Sequence, residues 1–257
     1  MNLKILKSAW KLSFQEFLVY KTTSILTFIL AALFFSIEII VGMIYFSVES
    51  NLNGWTRSDY LLLISSITTI TYIYNIFFIV GHENLSEDIL EGNLDYLFLR
   101  PVSSYWYSAL SHLDIPSCFN LVISGVMSVS IIISKRFNWV EILLYLLTIF
   151  LGTCFVFLMN QIAVTFSFWF EGFTALGGIV ENTINLLSRP LSIFPQIIQT
   201  IFTYIFPVLL VTNMPVIIFK GKHNYYLLIY LLIYNLLMYV LSRKLWTLGV
   251  KRYSSAN

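Results

Sequence analysis

Long apolar runs separated by short polar stretches leave this chain few ways to fold. Residues 24–48, 60–81, 141–163 and 225–241 are almost wholly apolar, as is a run that starts around His112, Asp114 and Pro116 and ends near residue 134. About 20 apolar residues are needed to carry a helix across a bilayer, and these runs supply that length or come close to it. Only 11% of the 257 residues are charged, against 58% hydrophobic, whereas soluble domains are roughly a quarter charged. Backbone polar groups in lipid must be satisfied within the segment, which leaves helices as the spanning form here. The expected fold is an all-α polytopic membrane protein, with residues 1–257 forming one transmembrane domain. A net charge of +2 predicts no nucleic-acid partner.

The ends frame the spans. Residues 1–21 carry Lys4, Lys7, Lys11 and Lys21 opposite Trp10, Phe14, Phe17 and Leu18. This is the pattern of a basic amphipathic helix on a lipid surface, or of a snorkelling lead-in to the first span. The first run is too long for a signal-peptide core and lacks a small-residue cleavage site, so it reads as a retained span. The second run is rich in Ser, Thr and Tyr, which can hydrogen-bond across helices. Tyr105, Trp106 and Tyr107 have the composition of an interfacial belt. Pro116 predicts a kink or the first turn of the third span. Cys118 and Cys154 sit inside apolar runs and read as packing residues.

Residues 164–219 allow two readings. Glu171, Glu181, Asn182, Asn185 and Gly172, Gly177 and Gly178 fit a polar fifth span at 164–187, followed by a re-entrant pair. They also fit a loop, with 197–219 as the fifth span. Pro190, Pro195, Pro207 and Pro215 argue against one clean crossing there, and the first reading is preferred. Arg243, Lys244, Lys251 and Arg252 form a basic tail after the sixth span. Two basic ends and an even number of spans place both termini in the cytoplasm of a multi-pass cell-membrane protein. Lys135, Arg136, Lys220 and Lys222 then lie on the far side and weaken that bias.

Asn84–Pro101, NLSEDILEGNLDYLFLRP, is too polar to span. Leu85, Ile89, Leu90, Leu94 and Leu97 recur at helical spacing. Asn84 with Glu87 has the form of a capping box, Gly92 can end a helical piece, and Pro101 disfavours helix at Arg100. The stretch reads as a short amphipathic helix and a bend, which is either an ordinary surface helix or a unit that passes force from a soluble partner to the spans. Elsewhere the chain carries no G-x-x-x-x-G-K-[ST] loop, no H-E-x-x-H and no G-x-S-x-G, and His82, His112 and His223 are far apart. No catalytic role, metal site or cofactor of its own is expected. Glu38, Glu171 and Glu181 lie near membrane depth, where acids line paths, relay protons or pair with polar neighbours. No cation is evident beside them in sequence.

Glu91-Gly92-Asn93-Leu94-Asp95, then Leu97 and Arg100-Pro101, resembles the signature that follows the second span in a permease group of the type-2 ABC exporters. Arg189-Pro190-Leu191-Ser192-Ile193-Phe194-Pro195, with Pro207 and Pro215 after it, resembles that group's segment before the last span. The resemblance implies six spans, a cytoplasmic coupling loop at 82–104 and an extracellular re-entrant segment at 188–222. It also implies a separate ATPase subunit that holds ATP and Mg, and a second permease subunit, identical or homologous. Leu90, Leu94 and Leu97 would fill a groove on the ATPase. Glu87, Asp88 and Glu91 would meet its rim, and Gly92, Asp95, Arg100 and Pro101 would shape the bend. Glu38, Asn160, Gln161, Glu171, Glu181 and Asn182 are the candidate path lining. The expected function is export of an amphiphilic, peptide-like or lipid-like substrate. The rivals are a partner-free proton-coupled transporter, which would show repeat symmetry not seen here, and a non-transporting scaffold or receptor.

Overall fold

The computed structural model describes residues 3–48, 51–52, 54–135, 137–170, 178–221 and 225–253. Helix α1 (Leu3–Val19) leads into α2 (Lys21–Val48), and a two-residue hairpin, β1 (Asn51–Leu52) and β2 (Trp55–Thr56), follows. Helix α3 (Arg57–Tyr74) passes through a π-helical turn, Asn75–Ile79, straight into α4 (Val80–Leu90). Then come α5 (Leu94–Phe98), α6 (Ser104–Leu110), α7 (Ile115–Lys135) and α8 (Trp139–Thr165). The chain closes with α9 (Ile179–Leu186), α10 (Gln196–Thr200), α11 (Val208–Phe219) and α12 (Tyr225–Arg252).

Five of these helices are long and apolar enough to cross a bilayer: α2, the continuous α3–α4, α7, α8 and α12. Helix α3 sits centrally, packed on α2, α7, α8 and α11, and α8 joins it to α12. Lipid supplies no hydrophobic drive between helices, so small polar side chains hold the seam. Ser128 Oγ donates to Ser65 Oγ at 2.9 Å, Thr69 Oγ1 to Ser124 Oγ at 3.1 Å, and Ser66 Oγ to the Tyr145 hydroxyl at 3.2 Å. Helix α7 shows the inversion plainly. It buries Ser117, Asn120, Ser124 and Ser128 and exposes Val122, Val126, Val129 and Ile133. The hydrogen-bonding role expected for the second span is what the structure displays.

One end is clamped by a single carboxylate. Asp59 caps α3 through a reciprocal pair with Thr56. It also binds Lys135 Nζ at 2.6 Å and Lys220 Nζ at 3.3 Å. Lys220 lies 3.8 Å over the Trp55 ring. Three helix ends that are remote in sequence are thus tied together.

Several boundaries differ from the sequence reading. The described residues of the polar fifth span expected at 164–187 do not form one long helix. Helix α8 takes its first residues and ends in a tight turn at Phe166–Phe168. Helix α9 has eight residues, about 12 Å of rise, too short to cross. Glu171, Gly172 and Gly177 lie outside the described residues, as do Arg136, Lys222 and His223. Residues 196–219 form two helical pieces, Gln196–Ile205 and Val208–Phe219, that meet at 93°. Among the described residues, a sixth crossing exists only if that bent pair is counted as one. Carbonyls left at the bend are recovered by α12, where Tyr230 donates to Tyr204 O and Tyr234 to Ile205 O. Pro116 lies in the first turn of α7, and the basic tail continues α12 as helix.

Asn213 holds the segment before the bend. Its Oδ1 accepts from Leu191 N–H at 2.8 Å, and its Nδ2 donates to Arg189 O at 3.2 Å. Asn213→Leu keeps the size but orphans both backbone groups. It should cost roughly 2–3 kcal/mol and lower the melting temperature in detergent, while Asn182→Leu, on an exposed side chain, should not.

Candidate coupling surface and intramembrane polar groups

The helix expected to begin at Asn84 does not begin there. Asn84 and Glu87 lie within α4, which is continuous with the second span. Their spacing places polar groups on a helix face and makes no cap. The helix ends where the sequence provides a stop. Glu91 N–H bonds Glu87 O at 2.8 Å, Gly92 adopts φ +76°, and Asn93 N–H bonds Asp88 O at 2.9 Å. A left-handed residue at this position favours glycine. Helix α5 follows, and Arg100 N–H bonds Leu97 O at 3.3 Å before the chain bends at Pro101.

The apolar anchors are distributed differently from the sequence reading. Leu94 is 1% exposed and Leu97 9%, both within this chain's own core, whereas Leu99 is 82% exposed and Phe98 36%. Leu94 and Leu97 therefore fasten the segment to its own helices, and Phe98 and Leu99 face outward. The side chain of Leu90 lies outside the described residues. Glu83, Glu87 and Glu91 are exposed and four residues apart, so they line one face of α4. Asp88 and Asp95 are half-buried. Arg100 donates to the Tyr107 hydroxyl and lies 5.1 Å from that ring.

Helix α6 bolts this surface to the bundle. Tyr105 is buried and shares a 2.9 Å hydrogen bond with Ser242, and Trp246 Nε1 donates to Ser104 Oγ at 3.2 Å. Trp106 stacks on Phe157 with ring centroids 5.5 Å apart. Of the three aromatics expected at a lipid interface, Tyr105 is thus buried, and Trp106 and Tyr107 are half-buried against the core. Gly81 lets α6 approach closely, because a Cβ there would come within 2.7 Å of the Ala109 carbonyl oxygen. Beyond α6, the Asp114 N–H donates 3.1 Å to Ile76 O, a carbonyl in the π-helical turn. Helix α1 docks on the same connection. Trp10 Nε1 donates to Leu110 O at 2.9 Å, and Leu113 N–H donates to Ser13 Oγ at 3.0 Å. A cavity of 680 Å³ separates α1 from the coupling segment, lined by Lys11, Asp88, Arg100 and His112 among others.

The candidate path residues fall into two places. Glu38 does have a cation, because Arg189 Nη1 lies 2.8 Å from its Oε2, and Tyr60 also contacts that guanidinium at 3.4 Å. Burial works against the Arg189 charge, and the bond to Glu38 together with the electrostatic pull of Glu38, Tyr60 and Tyr45 more than offsets it, so this guanidinium stays above its ordinary pKa. Asn160, Gln161 and Glu181 lie together elsewhere. Asn160 Nδ2 donates to Glu181 Oε1 at 2.7 Å, and Gln161 Oε1 lies 3.1 Å from His82 Nε2. His82 Nδ1 is 2.8 Å from the Tyr74 hydroxyl. Asn182 is exposed, and Glu171 lies outside the described residues. The sequence reading missed His82, Tyr74 and Arg189 as partners. Their sequence separations of up to 151 residues leave no local signal.

The division between inward and outward leucines is testable. Leu94→Ala should destabilise the protein by about 2–5 kcal/mol, and Leu99→Ala by less than about 0.5 kcal/mol, as read by thermal melting in one detergent. Equal effects would contradict the burial assignment.

No curated protein and no solved structure matches this chain. Residues 29–257 match the ABC-2 family transporter proteins. That stretch takes in α2 from residue 29 onward, the other four long helices, the bent pair and the surface at α4–α6. The chain therefore belongs to the ABC-2 family transporter proteins, as a multi-pass membrane permease component of an ABC transporter.

Proposed function

We propose that this permease works in an exporter driven by a separate ABC ATPase, docked on the α4–α5 surface. Family membership implies an ATPase partner. The observation that carries the docking site is the continuity of α3 with α4, which makes the exposed Glu83 and Glu87, with Glu91 at the helix end, an extension of a central span, while Phe98 and Leu99 are exposed just beyond the Gly92 turn. Apolar anchors supply most of such binding energy, and exposed charges supply steering. Phe98 and Leu99 are the anchors, and the three glutamates meet a basic rim on the ATPase. ATP and Mg are held by that partner. A second permease subunit, identical or homologous, completes the path. Both termini and residues 82–104 are cytoplasmic, and 188–222 faces outside. The cargo is amphiphilic, peptide-like or lipid-like, in keeping with a bundle rich in aromatics and poor in charge. The pairing of Glu38 with Arg189 supports a structural use of that acid and counts against a proton-coupled carrier.

The test compares Leu99→Asp and Glu87→Lys with the wild type, each purified with its ATPase. Leu99→Asp should weaken association by tenfold or more, corresponding to about 1.4 kcal/mol, with melting of the permease alone unchanged. Glu87→Lys should slow association a few-fold, and more so at low salt. An undiminished complex for both variants, with normal ATP turnover, would refute this docking site.

A further inference from the structure

Helix α12 contains no acidic residue, and its C-terminal end carries Arg243, Lys244, Lys251 and Arg252. Its outward face changes character along its length. Ile229, Ile233, Leu236, Leu237 and Val240 are each 49–64% exposed. They recur at i, i+4, i+7, i+8 and i+11 and so share one face of the helix. Arg243 and Lys244 continue that face one turn further on. The depth agrees with the change. Exposed Tyr225 and Tyr226 open the helix, and Arg243 follows after roughly 27 Å of rise. A bilayer's hydrocarbon core is about 30 Å thick. The two cations thus stand where the apolar span ends and lipid phosphates begin.

Lys135, Arg189 and Lys220 each hold a carboxylate. Arg243 and Lys244 have no carboxylate partner among the described residues. Arg243 is half-buried, with its guanidinium carbon 4.7 Å from the centroid of the Tyr105 ring. That contact steadies the planar fork without using up its charge. Lys244 beside it is exposed. Tyr239, Val240, Thr247 and Leu248 complete an open groove around the pair. Thr247 Oγ1 donates to Arg243 O at 2.9 Å and so adds no donor to the groove. Tyr239 stacks on Trp106, with centroids 6.2 Å apart, and closes one side. A guanidinium fork beside an ammonium matches a phosphate: the fork bonds two oxygens and the ammonium adds a point charge. The apolar track leading up to the pair matches acyl chains, which a soluble phosphate lacks.

We propose that Arg243 and Lys244 bind the phosphodiester of an anionic phospholipid, such as phosphatidylglycerol, with its acyl chains along Val240, Leu237, Leu236 and Ile233. A zwitterionic lipid matches less well, because its own cationic group would meet two cations and no carboxylate. The site borders the clasp between α6 and α12, where Tyr105 bonds Ser242 and Trp246 bonds Ser104. The bound lipid therefore belongs to the leaflet on the side of the α4–α5 surface and braces the contacts that hold that surface to the bundle. The binding itself does not rest on the ATPase reading.

The experiment uses the full chain in phosphatidylcholine nanodiscs that carry small, equal fractions of phosphatidylglycerol and phosphatidylethanolamine, with retained lipid counted by native mass spectrometry. Phosphatidylglycerol should be retained over either zwitterionic lipid by about tenfold. Arg243→Gln and Lys244→Gln should each reduce that retention about fivefold. Lys251→Gln, roughly 10 Å further along the helix, should change it by less than about twofold. Lys244 is exposed, so its variant should melt like the wild type and keeps the test readable if loss of the Tyr105 contact destabilises Arg243→Gln. Equal retention of the three lipids, unchanged retention in Lys244→Gln, or an equal loss in Lys251→Gln, the mark of diffuse attraction, would each overturn the assignment. So would displacement of the lipid by millimolar glycerol 3-phosphate, which would make this a site for a free phosphate. A permease dimer that retains no phosphatidylglycerol would overturn it as well, since a second copy would then cover the groove. No ATPase is present in this measurement, so its failure leaves the docking test intact, and failure of docking leaves lipid retention readable.

Discussion

In lipid a helix cannot stop where its carbonyls and N–H groups would be left bare, and that constraint shapes the path from α3 to the α4–α5 surface. The helix starts at the Thr56–Asp59 cap and meets a strong stop signal only at Gly92. Between them it makes one concession, the π-helical turn at Asn75–Ile79. Such turns leave a carbonyl short of its usual partner, and here Ile76 O accepts the Asp114 N–H from the α6–α7 connection. The α4–α5 surface is therefore joined to the bundle by two routes, along α3 and through Asp114 into α7.

The far end obeys the same rule in another way. The bend between α10 and α11 leaves backbone groups that no helix can satisfy alone, and side chains supply the bonds. Asn213 serves Arg189 O and Leu191 N–H, while Tyr230 and Tyr234 serve Tyr204 O and Ile205 O. The Glu38–Arg189 pair then ties this broken segment to α2. Irregular backbone is tolerated here because side chains of α11 and α12 take up its hydrogen bonds and it flanks a cavity. The result is a molecule with one end built on a continuous long helix and one end of short, side-chain-braced pieces.

The fold class was legible because apolar length and scarcity of charge are global properties that no local ambiguity can mask. Boundaries were less so. Asn84 with Glu87 satisfies the spacing of a cap and equally the spacing of a polar helix face; only the upstream helix, continuing through the π turn, decides between them. The leucines of the coupling segment show the same limit. Period gives the face on which Leu94 and Leu97 lie, but not whether that face turns to its own bundle or to a partner. Burial assigns them to the bundle, and Phe98 and Leu99, which break the pattern, are the outward pair. Glu38 looked unpaired because Arg189 is far along the chain, and Asp59 drew no notice although it gathers Lys135 and Lys220.

The most direct measurement places a photo-crosslinking residue at position 99 in the native membrane, with position 94 as the inward control. The account predicts that residue 99 captures a nucleotide-binding ATPase, identified by peptide mass fingerprint and ATP binding, and that residue 94 forms crosslinks only within the permease. Capture of the ATPase from position 94, or from neither position while the assembled transporter still turns over ATP, would contradict it.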